Sequence, residues 1–255
     1  MIESHLLKFS LYKNRSSWTW PAYQAHRGFC KNGEQENSLQ AFQAAKKNGF
    51  KMIECDVLLS HDLVPVVTHD PDLQRLHGRP EMVDQLTAAE LKNIAGIISL
   101  EELLSATDVP EYINIEIKGN QLLDSKIEIL IAGIIEKTKS QNRIIFSTFN
   151  PMSLIKIKKI FPQIPCGWLV NPFIENGNFI FLRRLWLSPF LPFDYLHLHH
   201  SVITDQLLEN AKLADISIAA WTVNDQMLAK DLLAKGVSGI ITDDIIPMKE
   251  NQHGK

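Results

Sequence analysis

Cysteine is scarce in this chain. Cys30, Cys55 and Cys166 are odd in number and form no CxxC pair, which argues against a disulfide framework or a zinc knuckle and suits a reducing compartment. Neither sign of charge is in excess. With 26 basic and 29 acidic side chains the formal net charge is −3, and no local basic cluster offers a footprint for nucleic acid. Long apolar runs are missing as well, since no stretch reaches the roughly 18 residues needed to cross a bilayer. The opening from Met1 to Trp20 carries Glu3, Lys8, Lys13 and Arg15 in place of a signal-peptide core, so a cytoplasmic location is expected. Internal repeats, low-complexity tracts and linkers are also absent, and the expectation is a single domain spanning 1–255 with its core over about 22–247.

What is present is an alternation. With 45% hydrophobic and 22% charged residues, short apolar runs alternate with longer segments of helical period, which predicts a parallel sheet with crossover helices. Strands are expected at Ala22 to His26, Met52 to Val57, Val64 to Thr68, Tyr112 to Ile117, Arg143 to Thr148, Cys166 to Val170, Tyr195 to His199, Ile218 to Val223 and Gly239 to Thr242. Eight parallel strands would close a (β/α)8 barrel of the usual size, roughly 250 residues. The ninth is explained by the short span from Val57 to Val64, which leaves no room for a crossover helix. Val57 to Thr68 therefore reads as a β-hairpin that climbs out of the barrel and returns His69 beside Asp56. Asp70 to Ile98 is too long for a simple connection and reads as a small insertion over the C-terminal mouth. Helix starts are expected at Asn37, at Thr87 with Glu90, at Ser99 with Glu102, at Asn150 before Pro151, and at Asp225.

The chemistry lies in the strand period. In Ile53-Glu54-Cys55-Asp56-Val57 a period of two puts Glu54 and Asp56 on one face and the apolar residues, Cys55 included, on the face that meets helices. The next barrel strand repeats this, with Asn114, Glu116 and Lys118 on one face and Ile113, Ile115 and Ile117 on the other. Two buried carboxylates about 6 Å apart at an effective dielectric of 20 repel by roughly 3 kcal/mol. Three acids against Lys118 favour a divalent cation held by hard oxygen ligands; a structural ion-pair cluster is the alternative. His26 and Arg27 end the first strand, and His69 reaches the same mouth through the hairpin. A metal, an arginine, a lysine and two imidazoles match phosphodiester hydrolysis, which needs charge neutralised on phosphoryl oxygens and a proton moved on each side of phosphorus. A glycosidase would have no use for His26, His69 or Arg27.

His26-Arg27-Gly28, Glu36-Asn37-Ser38, Glu54-Cys55-Asp56-Val57, His69-Asp70, Glu116-Ile117-Lys118, Trp221-Thr222-Val223-Asn224 and Gly236 to Asp243 follow one another along nearly the whole chain. This ordered set resembles the glycerophosphodiester phosphodiesterase family. The resemblance implies a (β/α)8 TIM barrel and hydrolysis of glycerophosphodiesters to sn-glycerol 3-phosphate and an alcohol, dependent on one divalent cation (Mg2+, Ca2+ or Mn2+). It implies Glu54, Asp56 and Glu116 as metal ligands, and His26 and His69 as the acid and base. Arg27 and Lys118 are implied at the phosphate and Trp221 along the glycerol; Glu36 itself reads either as a hydrogen-bond partner of Arg27 or the substrate or as a helix-entry acid serving the dipole. In the mechanism it implies, His26 takes a proton from the glycerol 2-hydroxyl, which attacks phosphorus while His69 protonates the leaving alcohol; water then opens the cyclic phosphate. Exchange of the two histidine roles and direct attack by water are open alternatives. Two departures stand out: Gln35 precedes Glu36 where the family usually has proline, and Asp62-Leu63 replaces the usual Asp-Gly turn.

Two further segments carry weaker signals. His197 and His199 share one strand face, where either a second metal or a supporting role at the mouth is consistent with their spacing. The apolar stretch from Phe179 to Phe193 reads as a barrel helix packed on its strands. Its exposure would instead favour membrane contact and a lysophospholipase D acting on lysophospholipids. The remaining alternative is a noncatalytic barrel that only binds its small-molecule ligand. The number of chains in the assembly is not specified by these patterns.

Overall fold

A computed structural model describes residues 2–12, 21–119, 124–174 and 178–247. In chain order the elements are β1 (Tyr23–His26), α1 (Leu39–Lys47), β2 (Met52–Leu59), β3 (Pro65–Val67), α2 (Gln74–His77), α3 (Ala88–Ala95), α4 (Leu100–Ser105), β4 (Tyr112–Ile117) and α5 (Lys126–Thr138). They continue as β5 (Ile144–Thr148), α6 (Pro151–Ile160), β6 (Cys166–Val170), α7 (Ile180–Arg183), β7 (Tyr195–His199), α8 (Asp205–Leu213), β8 (Ser217–Trp221), α9 (Gln226–Ala234) and β9 (Gly239–Thr242).

The strands lie in the order β1-β9-β8-β7-β6-β5-β4-β2-β3, and a parallel β1–β2 pairing closes the ring. Eight parallel strands thus form the barrel expected from the sequence. The ninth, β3, pairs antiparallel with the projecting end of β2, matching Val57 with Val67 and Leu59 with Pro65. The hairpin turn holds without glycine because Leu63 takes a left-handed φ of 60°. Inward and outward residues alternate along each strand. Ile53, Cys55 and Val57 of β2, and Ile113, Ile115 and Ile117 of β4, enter the main hydrophobic core between barrel and helices.

Four of the expected helix starts have the expected caps. Thr87 and Ser99 form capping boxes with Glu90 and Glu102, Asn150 caps α6 ahead of Pro151, and Asp225 accepts a hydrogen bond from Leu228 N–H. At α1 the expectation is corrected by one residue: Ser38, not Asn37, caps the helix by accepting from Ala41 N–H at 3.1 Å. Asn37 is left for other work. The insertion over the mouth contains α2, α3 and a small core of its own, in which Leu73, Val83 and Leu91 pack with Val66 of β3.

The stretch from Phe179 onward holds only α7, a single turn. Leu185, Leu191 and Phe193 are buried, Phe181 is half-buried, and Trp186 and Phe190 are exposed. No helix among the described residues is long and apolar enough to cross a membrane.

Two left-handed positions test the backbone argument in opposite directions. Gly28 has φ 94°, and a Cβ there would meet the Ala41 Cβ at 2.6 Å, so Gly28→Ala is expected to lower the free energy of unfolding by about 2 kcal/mol or more in urea titration. Leu63 is an exposed residue carrying a conformation suited to glycine, so Leu63→Gly is expected to raise stability by about 1 kcal/mol.

Candidate active site

The register of the first three barrel strands brings the acids together. Across β1 and β2 His26 is level with Glu54, and across β2 and β4 Asp56 is level with Glu116. All three carboxylates are buried, and one oxygen of each lies within 4.8 Å of the others. At that separation and an effective dielectric of 20, each ionised pair repels by about 3 kcal/mol.

Counter-charges surround this triad unevenly. Lys118 Nζ lies 3.0 Å from Asp56 Oδ1 and 2.6 Å from Glu116 Oε1. Arg27 places Nε 3.3 Å from Asp56 Oδ2, and its backbone N–H donates to Glu54 Oε2 at 3.2 Å. Asn37, freed from capping, donates through Nδ2 to Asp56 Oδ2 at 2.9 Å and accepts from the Asp56 backbone N–H at 3.2 Å. Burial works against an ionised Asp56, yet Lys118 and Arg27 outweigh it and hold its pKa below the ordinary aspartate range. Glu54 fares differently. Burial, then the Asp56 charge, push its carboxyl well above the ordinary range, and burial raises Glu116 despite Lys118. Glu54 Oε1 is buried with no hydrogen-bond partner. An orphaned carboxylate oxygen among three hard donors is what a divalent cation of the Mg2+, Ca2+ or Mn2+ kind would satisfy.

Each imidazole is backed by a carboxylate. His26 Nδ1 is 2.7 Å from Asp243 Oδ1, and Asp243 is held in turn by Asn224 Nδ2 at 3.0 Å. His69 Nδ1 is 2.6 Å from Asp70 Oδ1. The hairpin delivers His69 as expected, with Thr68 N–H donating to the Asp56 carbonyl at 3.0 Å. Burial opposes a charged His26, but the hydrogen bond to Asp243 and the Glu54 carboxylate prevail and raise its pKa. At His69, burial and then the Lys118 cation push the pKa down. His26 Nε2 lies 4.0 Å from Glu54 Oε2, at the edge of the triad.

Glu36 reaches both Arg27 and a residue without an assigned role in the sequence reading, Arg75 of α2. Trp221 ends β8 and lies in an aromatic row, edge-on to Phe149 at 5.8 Å and to His199 at 5.4 Å, with Phe173 5.0 Å beyond His199. Among the described residues Glu54, Asp56 and Glu116 form the one group of three or more side chains placed to hold a metal ion, and the β7 histidines belong to no such group. His197 is instead fully buried, its ring seated where a Cβ on Gly167 would come within 2.6 Å, and burial pushes its pKa down to about 3. Asn37, Asp70, Arg75, Asn224 and Asp243 are the supporting residues for which sequence reasoning assigned no such role. All but Arg75 sit inside the quoted motifs, which is the signal that was available.

The raised pKa values of Glu54 and Glu116 set the sign of a stability test. A carboxyl raised in the fold destabilises the native state as pH climbs above the ordinary glutamate value of about 4.3. In the metal-free protein at pH 8, Glu54→Gln is therefore expected to raise the melting temperature. Mn2+ should stabilise the parent protein markedly and the variant little. Equal stabilisation of both by Mn2+ in thermal melts would remove Glu54 from the ligand set.

Comparison with known proteins places this geometry. The model of the glycerophosphoryl diester phosphodiesterase family matches residues 26–246. A glycerophosphodiester phosphodiesterase from Caldanaerobacter subterraneus subsp. tengcongensis is 30% identical over 233 residues, covering 86% of this chain and 93% of that protein. A putative glycerophosphodiester phosphodiesterase from Bacillus subtilis is 30% identical over 90% of this chain and 97% of its own length. Among solved structures, an Oleispira antarctica phosphodiesterase in complex with the product sn-glycerol-3-phosphate superposes with a TM-score of 0.76 at 27% identity, covering 88% of this chain and 93% of that one.

Proposed function

Because the chain belongs to the glycerophosphoryl diester phosphodiesterase family, we propose that it hydrolyses glycerophosphodiesters to sn-glycerol 3-phosphate and an alcohol, aided by one divalent cation. The observation that carries this reading is the meeting, at one barrel mouth, of the acidic triad, two carboxylate-backed imidazoles and the cations Arg27 and Lys118. Its three cysteines are free, in keeping with a cytoplasmic setting.

Glu54, Asp56 and Glu116 would hold the cation, which supplies positive charge to stabilise the phosphoryl oxygens as negative charge builds on them. Arg27 and Lys118 bind the phosphate and add fixed positive charge. His26 takes the proton of the glycerol 2-hydroxyl, whose oxygen attacks phosphorus. His69 gives a proton to the departing alcohol, and water then opens the cyclic phosphate to glycerol 3-phosphate. Asp243 and Asp70 fix the imidazole orientations through Nδ1, leaving Nε2 for proton transfer.

The charges of the unliganded site favour a proton on His26 and none on His69. A cation held by Glu54 would weaken the pull of that carboxylate on His26, and a phosphate between Arg27 and Lys118 would offset the positive charge that lowers His69. Base at His26 and acid at His69 are the assignment proposed, with the exchanged roles as its alternative. Trp221 walls the glycerol, and Glu36 keeps Arg27 in place.

Exposed apolar side chains favour a second reading. The aromatic row from Trp221 through His199 ends at Phe173, and Phe173, Ile174, Phe179 and Ile180 are all exposed. An acyl chain on the glycerol of a lysophospholipid would find apolar surface there, making lysophospholipase D activity on the same site the alternative substrate class.

Purified protein with Mg2+, Mn2+ or Ca2+ is expected to release glycerol 3-phosphate from sn-glycero-3-phosphocholine and -ethanolamine. Ligand binding without release from any diester would establish the noncatalytic barrel instead, and turnover of lysophospholipids alone would establish the lipid enzyme. His26→Ala and His69→Ala are each expected to lower kcat by about 100-fold or more, while Glu116→Gln mainly raises the metal concentration required. Near-full activity of either histidine variant at saturating metal would remove that histidine from proton transfer.

A further inference from the structure

The insertion between β3 and α4 holds one cation in contact with two acids that belong to different parts of the site. Arg75 Nε donates to Asp70 Oδ2 at 2.6 Å, while its two terminal nitrogens donate to Glu36 at 2.9 and 2.7 Å. The far oxygen of Asp70 holds His69 Nδ1. Glu36 Oε1, besides accepting from Arg75, accepts from Arg27 at 2.9 Å, and Arg27 continues to Asp56. Charges thus alternate along Asp70, Arg75, Glu36, Arg27 and Asp56, with His69 at one end and the acidic triad at the other. We propose that Arg75 is a positioning residue which, through Asp70 and Glu36, fixes His69 and Arg27 in one mutual geometry, and that holding it is the task of the insertion. The inference rests on the roles proposed above for His69 and Arg27.

The Arg75 side chain is 46% exposed, so solvent screens its ion pairs and weakens what they add to stability. Its geometry is nevertheless highly constrained: a planar fork on one carboxylate and the remaining N–H on another fix three donors at once. The segment beneath it is built to keep it there. Leu73, next to α2, is buried with Val83 and Leu91, its N–H donates to the Glu81 carbonyl at 3.0 Å, and Val83 N–H donates to the Pro71 carbonyl at 2.8 Å. Supporting partners of this kind set the precision of groups that touch substrate.

The test compares Arg75→Gln and Arg75→Lys with the parent on two esters of sn-glycerol 3-phosphate, one with choline and one with 4-nitrophenol as leaving group. The phenol departs without a proton, so a displaced His69 matters little for it, whereas a displaced Arg27 affects both esters. For Arg75→Gln the expectation is a kcat at least 10-fold lower on the choline ester, a much smaller kcat loss on the nitrophenyl ester, and a raised KM on both. Arg75→Lys should recover part of each loss, with the melting temperature little changed. At fixed pH the imidazole NMR resonances of His69 should shift in Arg75→Gln while those of His26 stay. That readout holds even if the parent hydrolyses neither ester, which would overturn the proposed function and not the clamp. Unmoved His69 resonances, kinetics within twofold of the parent on both esters, or equal kcat losses on both with a matching fall in melting temperature would overturn the proposal.

Discussion

Three carboxylates that the fold forces into one buried space are the constraint on which this molecule depends. Their repulsion is offset at Asp56 by Arg27 and Lys118, but Glu54 keeps an oxygen with no donor. A buried arrangement short of positive charge is a poor structural element, because neutral residues of similar volume would be more stable there. It makes sense as a binding site whose missing charge arrives from outside. The same surroundings tune its neighbours: the Asp243 hydrogen bond and then Glu54 hold the pKa of His26 up against burial, while burial and then Lys118 hold that of His69 down.

Around this centre the barrel acts as a ruler. Parallel register sets His26 beside Glu54 and Asp56 beside Glu116, so acids on two neighbouring strands and an imidazole on a third converge with no loop to blur them. The hairpin adds what the ring cannot supply. By carrying β2 past the rim and returning antiparallel, it brings His69 to the mouth by a route other than the strand end that carries His26. Proton transfer on two sides of a phosphorus requires two groups that come from different directions, and a parallel barrel alone has its strand ends all facing one way.

The supporting residues show a common pattern. Asn37, Asp70, Asn224 and Asp243 are small polar side chains on loops, and each fixes a group on or beside a strand end. Left-handed backbone at Arg27 and Asn37 and the glycine at 28 let the β1–α1 loop fold tightly enough to bring Arg27, Glu36 and Asn37 to the same carboxylates. The insertion extends that pattern outward, with Arg75 as the link between the loop after β1 and the loop after β3.

Much of this was legible in the sequence, for a physical reason. A period of two assigns faces without reference to any partner, so Glu54, Asp56, Glu116 and Lys118 could be read as inward and Cys55 as core from their spacing alone. Strand count and connection length then fixed a closed ring with one hairpin, and the ordered motifs pointed to the chemistry. Tertiary structure decided whatever depends on distance across the chain. Asn37 looks like a helix cap until Asp56, on another element, is beside it. Asp243 becomes the partner of His26 only when the last strand closes against the first. Arg75 has no periodicity to mark it, being half-exposed on a single turn of helix, and its contacts to Asp70 and Glu36 exist only because a small separate core holds the insertion over the mouth. Local patterns fix which way a side chain faces, while the partner it meets is set by packing between segments far apart in sequence.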